Sequence, residues 1–499
     1  MSDSNLSTLT ADQLAWKTAR IVEPGSFEPA RHYYPKVLHA QIHSLAAYFF
    51  RLPNEIIAER FCHLNPTVEP RHLLDLLSRA TRHFFWAGGD LFYTVDDAGV
   101  RRMILLETNS SPSGNKSTPI LRDDDELGGY RRLLEHAFVP RMPRSKADGD
   151  LAVLFDKNFV EASGYAAALA EISGEPVYLA PLPDGASDPP ARFVSGRLEV
   201  RDPSGAWRPI RAALRYVTKR PWNRIPVKTR TFLFNPLVAC LAGGRNKLMA
   251  AKAYQFFTHA AGERGLHVRC PETIIGVALQ EVPFWVDHFG GYAVVKNPYA
   301  NAGIGVFTIT SPSDLERFMS HEHTYERFIV QGLVGNKEWT SSQGGRRYYH
   351  VGTVPNARKE IFAADLRMMV ASGPTGFRPI GLYARRARRP LSGRLAPNVS
   401  SWEMLGTNLS VARADGGWDA EVDRLMILDR RDFNRLGIGL DDLIDAYVQT
   451  VTATCAIDQF ANHLLTSKRT LKRRLFRTLN DDPALAAEIL PDRSASESV

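Results

Sequence analysis

Along the first 85 residues, apolar side chains recur every three or four positions, over 31–51 and again over 70–85, with few strand signals between them. That spacing gathers them on one stripe of a helix, so the segment predicts helices acting as a cap or lid. From Asp90 the period changes. Leu91-Phe92-Tyr93-Thr94-Val95, the turn Asp96-Asp97-Ala98-Gly99 and Met103-Ile104-Leu105-Leu106 predict a β-hairpin whose second strand runs out into Glu107-Thr108-Asn109.

A helix is expected over 124–138, and the basic, proline-containing stretch 140–149 marks a domain boundary. Beyond it, an apolar run at 151–155, an alanine-rich helix at 162–173 and a second run at 177–179 give the β-α-β alternation of a parallel sheet. A strand pair over 192–201 leads to the turn Asp202-Pro203-Ser204-Gly205. Helical spacing returns over 245–258, short strands alternate with helices from 290 to about 408, and the last 80 residues read as helix, apolar at helical spacing over 440–455. No internal repeat is visible, and only 493–499 reads as disordered. The class is α/β (α+β), and 499 residues imply roughly three cores at about 150 residues each.

Composition narrows the class without naming a function. With 44% hydrophobic and 23% charged residues, collagenous, coiled-coil and largely disordered chains are excluded. No window reaches the 18 or so uninterrupted apolar residues of a membrane span, and residues 1–10 lack a basic-then-apolar signal, so a cytoplasmic protein without a membrane partner is expected. The net charge of +8 suits nucleic acid or an anionic small substrate. The basic stretch 468–477 has too few aromatics for a single-strand stacking platform and is read as a solvated helix face, so nucleic acid is not the expected partner. Cys62, Cys240, Cys270 and Cys455 form no CxxC and are expected as reduced, buried thiols. Nothing in the sequence speaks to oligomeric state.

The chemistry-bearing segments are two. In 291–306 a hydrophobic strand delivers Lys296, and a loop with Gly303 and Gly305 follows. Glycines let backbone N–H groups approach phosphate oxygens, and the lysine supplies a point charge. In the hairpin, Asp90 opens one strand, while Glu107 and Asn109, two apart, point to one face of the other. Two carboxylates and an amide oxygen suit Mg²⁺ completed by substrate phosphates. No Ser-His-Asp or Cys-His pattern stands out, and His83, His288 and His350 are read as structural.

Strand-lysine-glycine loop, the strand Phe328-Ile329-Val330-Gln331 and an acidic hairpin ending E-x-N-x-x-P-S-G together resemble the ATP-grasp superfamily of ATP-dependent ligases. Here the E-x-N strand comes first, an order that resembles the circularly permuted members, relatives of glutathionylspermidine synthetase among them. The resemblance implies an α/β nucleotide-binding region over 236–415, its metal-binding hairpin at 86–125, a pre-grasp α/β domain at 150–235, and helical extensions at 1–85 and 416–499. It assigns Lys247 and Lys296 to phosphate, Gly303 and Gly305 to the phosphate loop, and Gln331 and Gly332 to the adenine-reading hinge, with Glu326 or Glu338 as candidates for the ribose. Asp90, Glu107 and Asn109 become metal ligands, and Ser113 and Gly114 face substrate. Arg367 and one of the adjacent pair Arg385 and Arg386, with Arg386 preferred, become the phosphate-facing catalytic arginines; Asn408 closes the domain. The implied cofactors are ATP and Mg²⁺. The implied reaction joins a small-molecule or peptide carboxylate to an amine through an acylphosphate. A phosphotransferase on the same fold and a degenerate nucleotide-binding scaffold are the alternatives.

Overall fold

The computed structural model of the chain describes residues 16–489 except 123, 146–147, 187, 300–302, 304, 396–399 and 413–417. The expectation of disorder at 493–499 lies outside the described residues, as does the polar stretch 1–10. In chain order, a short strand β1 (Arg20–Val22) precedes two short proline-initiated helices, a third short helix over Ser44–Phe49, and then helices α1 (Asn54–Leu64) and α2 (Pro70–Leu77). The stretch 31–51 is therefore several pieces rather than one helix: Pro35, lacking an N–H, can only begin a turn of helix, and a further helix starts afresh at Ser44, where the His43 side chain accepts the Leu45 N–H.

The hairpin is longer than its pattern predicts: β2 (Trp86–Asp96) and β3 (Arg101–Ser110). A helix α3 (Gly128–Leu133) leads into the α/β domain, built of β4 (Asp150–Phe155), α4 (Phe159–Ser173), β5 (Val177–Pro181), β6 (Ala191–Val194), β7 (Arg197–Arg201), β8 (Trp207–Tyr216) and β9 (Phe232–Phe234). Strands β4, β5 and β8 run parallel, the order being β1-β5-β4-β8-β7-β6 with β9 beside β8. The N-terminal segment thus contributes the edge strand β1 as well as helices.

Helix α5 (Lys247–Ala261) opens the next part, followed by β10 (Thr273–Ala278), β11 (Ala293–Lys296), β12 (Val306–Ile309) and β13 (Arg327–Gly332), a four-stranded antiparallel sheet in the order β10-β13-β11-β12 with its own small core. The short β14 (Ser342–Gln343) and β15 (Arg346–His350) then lead to β16 (Ala364–Gly373) and β17 (Gly376–Arg386). Two short strands, β18 (Ser410–Ala412) and β19 (Trp418–Ala420), precede β20 (Leu425–Met426). The central sheet, β14-β15-β2-β16-β17-β20 with β3 beside β2, joins the early hairpin to strands almost 280 residues later: Asp90 stands opposite Arg367.

The C-terminal part is not an appendage. Helix α6 (Leu440–Leu464) is buried without interruption from Ala446 to Asp458 and packs under β2, β3 and β16. A helix apolar on all sides belongs in a core, and its Thr450, Thr452 and Thr454 satisfy their hydroxyls on carbonyls four residues back. Its Asp458 carboxylate accepts the backbone N–H groups of Arg82, His83 and Phe84, fixing the entry to β2. The approach is close enough that a Cβ on Gly89 would sit 2.5 Å from Thr450 Oγ1. A last helix, α7 (Pro483–Ile489), follows. No helix among the described residues is long and apolar enough to cross a membrane. All four cysteines are unpaired, with Cys270 less buried than the others.

Candidate functional site

One face of the central sheet carries a cluster of charged side chains. Register places Glu107 opposite Asp90, Asp90 opposite Arg367, Arg367 opposite Tyr383 and Asp365 opposite Arg385, so these side chains project from four neighbouring strands to the same side. Arg367 donates from Nε to Asp90 Oδ1 at 2.6 Å and from Nη2 to Oδ2 at 2.5 Å. Arg385 Nη2 lies 3.1 Å from Asp90 Oδ2, and its Nε donates to Asp365 Oδ1 at 2.9 Å. Burial alone would raise the Asp90 carboxyl, but the two guanidinium groups outweigh it and hold it well below the usual carboxylate range. For Asp365 burial wins and its carboxyl lies above the ordinary value in spite of Arg385.

The four-stranded sheet faces this array. Lys296, the last residue of β11, donates from Nζ to Gln331 Oε1 at 2.6 Å, and burial, only partly offset by Glu107, pushes its ammonium down to about 8. Lys247 begins α5 because Asn246 caps the helix, its side chain accepting the Met249 N–H. Lys247 Nζ lies 3.5 Å from Glu107 Oε2. Burial would raise the Glu107 carboxyl, yet Lys247 and then Lys296 bring it below its ordinary value.

Arg245 sets the end of β3. Its guanidinium donates to the carbonyls of Ser110 and Ser111 and, from Nη1 at 2.9 Å, to Asn109 Oδ1. These contacts bear on the expected metal ligands. Asp90 has both oxygens in arginine pairs and Asn109 Oδ1 accepts from Arg245, whereas Glu107 accepts from Asn109 Nδ2 at 3.2 Å and lies near Lys247, so of the three it is the one not committed to a guanidinium. Asp90 and Asn109 do not fit as ligands in this arrangement. Among the described residues no three His, Cys, Asp or Glu side chains stand together as a metal site. A magnesium ion held by one carboxylate and substrate phosphates is the form these residues fit.

The loop after β3 is held from the α/β domain. The buried Glu161 of α4 accepts the Ser113 hydroxyl, the Gly114 N–H at 2.7 Å, the Asn115 N–H at 2.8 Å and the Tyr216 hydroxyl at 3.1 Å. Gly114 therefore spends its N–H inward, and a Cβ there would meet Met369 and Tyr383. The expected substrate role of Gly114 is corrected to a packing one, whereas Ser113 lines the cavity.

That cavity, about 920 Å³, lies between the two sheets and the α/β domain. Asp90, Glu107, Asn109, Ser113, Lys247, Lys296, Gly303, Gln331, Gly332, Arg367 and Asn408 line it. Gly303 and Gly305 both have positive φ, 76° and 66°, and Asn297 N–H donates to Gly305 O at 2.8 Å, closing the base of the loop. Three expectations are corrected. Arg385, not Arg386, faces the cavity; the Arg386 guanidinium sits 4.8 Å from the Phe362 ring centroid. The Gly332 N–H donates to Glu272 O, which removes that backbone donor from the expected adenine hinge, while the Gln331 side chain bonds Lys296 and Thr273. Glu326 and Glu338 do not line the cavity. Lys157, Asp365 and Glu161 enter this array without a sequence motif of their own; an acid within the first turn of an alanine-rich helix is the available signal for the last.

No family model and no curated protein sequence matches the chain. Solved structures do. A glutathione synthetase-like effector from Globodera pallida is 10% identical, with a TM-score of 0.37 over 76% of this chain and 90% of that one. A RimK-domain ATP-grasp protein from Sphaerobacter thermophilus is 14% identical, with a TM-score of 0.27 over 47% of this chain and 90% of that one. D-alanyl-alanine synthetase A from Vibrio cholerae is 11% identical, with a TM-score of 0.27 over 52% of this chain and 94% of that one.

Proposed function

We propose that the chain is an ATP- and Mg²⁺-dependent carboxylate–amine ligase of circularly permuted ATP-grasp type. The observation that carries this reading is the convergence of Lys247 and Lys296 from one side of a single cavity with Glu107, Arg367 and Arg385 from the other. Lysines of this kind grip phosphate as point charges, while arginines bind two oxygens at once and suit the spreading charge of a transferring phosphoryl group.

The substrate carboxylate oxygen attacks the γ-phosphorus, the bond from that phosphorus to the β–γ bridging oxygen breaks, and ADP departs. The amine nitrogen then attacks the acyl carbon, the carbon–oxygen bond breaks, and phosphate leaves as the nitrogen loses a proton. Lys296 and Lys247 hold phosphate oxygens. Arg367 and Arg385, fixed by Asp90 and Asp365, present a rigid cationic face that needs no reorganisation when charge moves onto the leaving groups. Magnesium on Glu107 would add neutralisation of the phosphates. No protein nucleophile is required.

Incubation with ATP, Mg²⁺, pooled carboxylic acids and hydroxylamine tests the reading, because hydroxylamine intercepts an acylphosphate as a hydroxamate that colours with iron. Acid-dependent hydroxamate and ADP are expected from the wild type and not from Lys296→Ala. ADP formed with an acceptor other than a carboxylate, and no hydroxamate, would convert the reading to a phosphotransferase; no nucleotide binding at millimolar ATP would end it.

A further inference from the structure

Beyond the phosphate-gripping face, the same cavity extends to the C-terminal ends of the parallel strands of the α/β domain. Lys157 and Asn158 follow β4, Asp184 follows β5, and Thr218, Lys219 and Arg220 follow β8; all line the cavity. The ends of parallel strands are where open α/β sheets receive ligands, because the loops there are free to vary while the sheet fixes their origins.

The charges at this rim are out of balance. Among the described residues, nine lysines and arginines line the whole cavity against five carboxylates. ATP with one magnesium carries about −2, so an excess of about two positive charges is left for something else. At the rim itself Lys157, Lys219 and Arg220 stand against Asp184 and Glu488, a surplus of one cation. The Asp156 carboxylate is turned away onto the N–H groups of Thr218 and Lys219 and is not bonded to Lys157. Lys157 has no carboxylate within 4.0 Å among the described residues, its ammonium resting 5.7 Å from the Tyr216 ring centroid. Burial, and then the neighbouring Arg245, press the Lys157 ammonium well below the usual lysine range, and the nearby Asp156 carboxylate offsets this only in part. The α4 N-terminus opens directly after Asn158 and adds its positive end.

The rim also displays the chemistry it accepts. The Glu488 carboxylate of α7, which lines the cavity, receives Arg220 Nε at 3.0 Å, Arg220 Nη2 at 2.8 Å and the Trp222 N–H.

We propose that Lys157 and Lys219, with Asn158 and Thr218, form a seat for a non-reacting carboxylate carried by a substrate. One substrate is then a dicarboxylate or an amino acid rather than a simple monoacid or amine. Only the identity of the occupant rests on the ligase reading; the seat itself does not.

Lysine side chains labelled as ¹³C-dimethylamines report on the seat directly. With AMP-PNP and Mg²⁺ filling the phosphate sites, the full chain is titrated with acetate and with inorganic sulfate, and the Lys157 resonance is assigned from Lys157→Arg. A saturable shift of that resonance at millimolar anion, toward the protonated position and weakened at least fivefold in Lys219→Met, is expected. A Lys157 resonance that moves no more than those of surface lysines overturns the seat. AMP-PNP binding is read in the same samples, so loss of the ligase reading registers separately and the titration is repeated without nucleotide. Once an active acid is found by hydroxylamine trapping, Lys157→Met raises its KM at least tenfold if the held carboxylate is on the acid. It leaves that KM unchanged, and raises the KM for the amine instead, if the carboxylate is on the amine; no change in either overturns the proposal.

Discussion

Replacing Glu161 by Gln tests the claim that a carboxylate of α4 shapes the loop that follows β3. The side chain is fully buried and keeps its size, so the change is one of hydrogen-bond polarity. Oε1 receives the Gly114 and Asn115 N–H groups and still can; Oε2 receives the Ser113 and Tyr216 hydroxyls, and an amide NH₂ in its place faces two donors. Bonds to a charged acceptor contribute about 1.5–3 kcal/mol each, and each hydroxyl can turn its proton elsewhere only by losing a partner, so a loss of about 3 kcal/mol is expected. Lys116, also buried, loses the nearby charge that helps hold its ammonium against desolvation, which adds to the cost. For a domain of 150–250 residues, about 3 kcal/mol lowers Tm by roughly 6–12 °C. Thermal unfolding followed by tyrosine and tryptophan fluorescence measures it, with Glu161→Ala expected to fall further. A fall of less than about 2 °C in both variants would refute the reasoning, because the loop would then be held by something other than this carboxylate.

Arg385→Ala should abolish acid-dependent ADP release while Arg386→Ala keeps it within about threefold, measured by coupled ADP assay; the reverse result would reassign the strand face. With its ammonium near 8, Lys296 is increasingly neutral above that pH, so affinity for an ATP analogue should fall by up to about tenfold per pH unit between 8 and 10 and flatten in Lys296→Arg, read by calorimetry. His350 is buried against Phe92, and its folded value is pushed down to about 4 from 6.5. Its neutral form therefore contributes stability that is whole above 6.5 and lost as pH falls toward 4, about 3 kcal/mol in all; His350→Phe should flatten that limb of an acid-unfolding curve, and an unchanged limb would contradict it. Gly89→Ala, which drives a methyl into Thr450, should lower Tm by several degrees, and Thr450→Ser should recover little of it because the contact is to Oγ1.

Local patterns were legible. Short apolar runs marked the hairpin, the strand ending at Lys296 and the β-α-β unit, and side-chain alternation required that Arg385 and Arg386 face opposite ways. Which of them faces the cavity is a matter of phase, fixed by Asp365 standing opposite Arg385 on β16, and no local pattern carries that. The same limit applied to Asp90. As a strand-opening acid beside Glu107 it read as a ligand, and only the register with Arg367 turns it into the anchor of two arginines. Helix α6 was visible as a helix, but its uninterrupted burial follows from the sheet above it, and the paired glycines of β2 were the one sequence hint of that contact.

The place of α6 has a consequence for biosynthesis. The hairpin leaves the ribosome early, but its sheet partners β16 and β17 come more than 250 residues later, and the helix that covers its apolar side later still. At about 5–20 residues per second the hairpin waits tens of seconds with an uncovered edge and face, long enough for chaperones to engage it. A nonsense mutation just before Leu440 would spare every cavity-lining residue except Glu488 and still leave the central sheet without its floor.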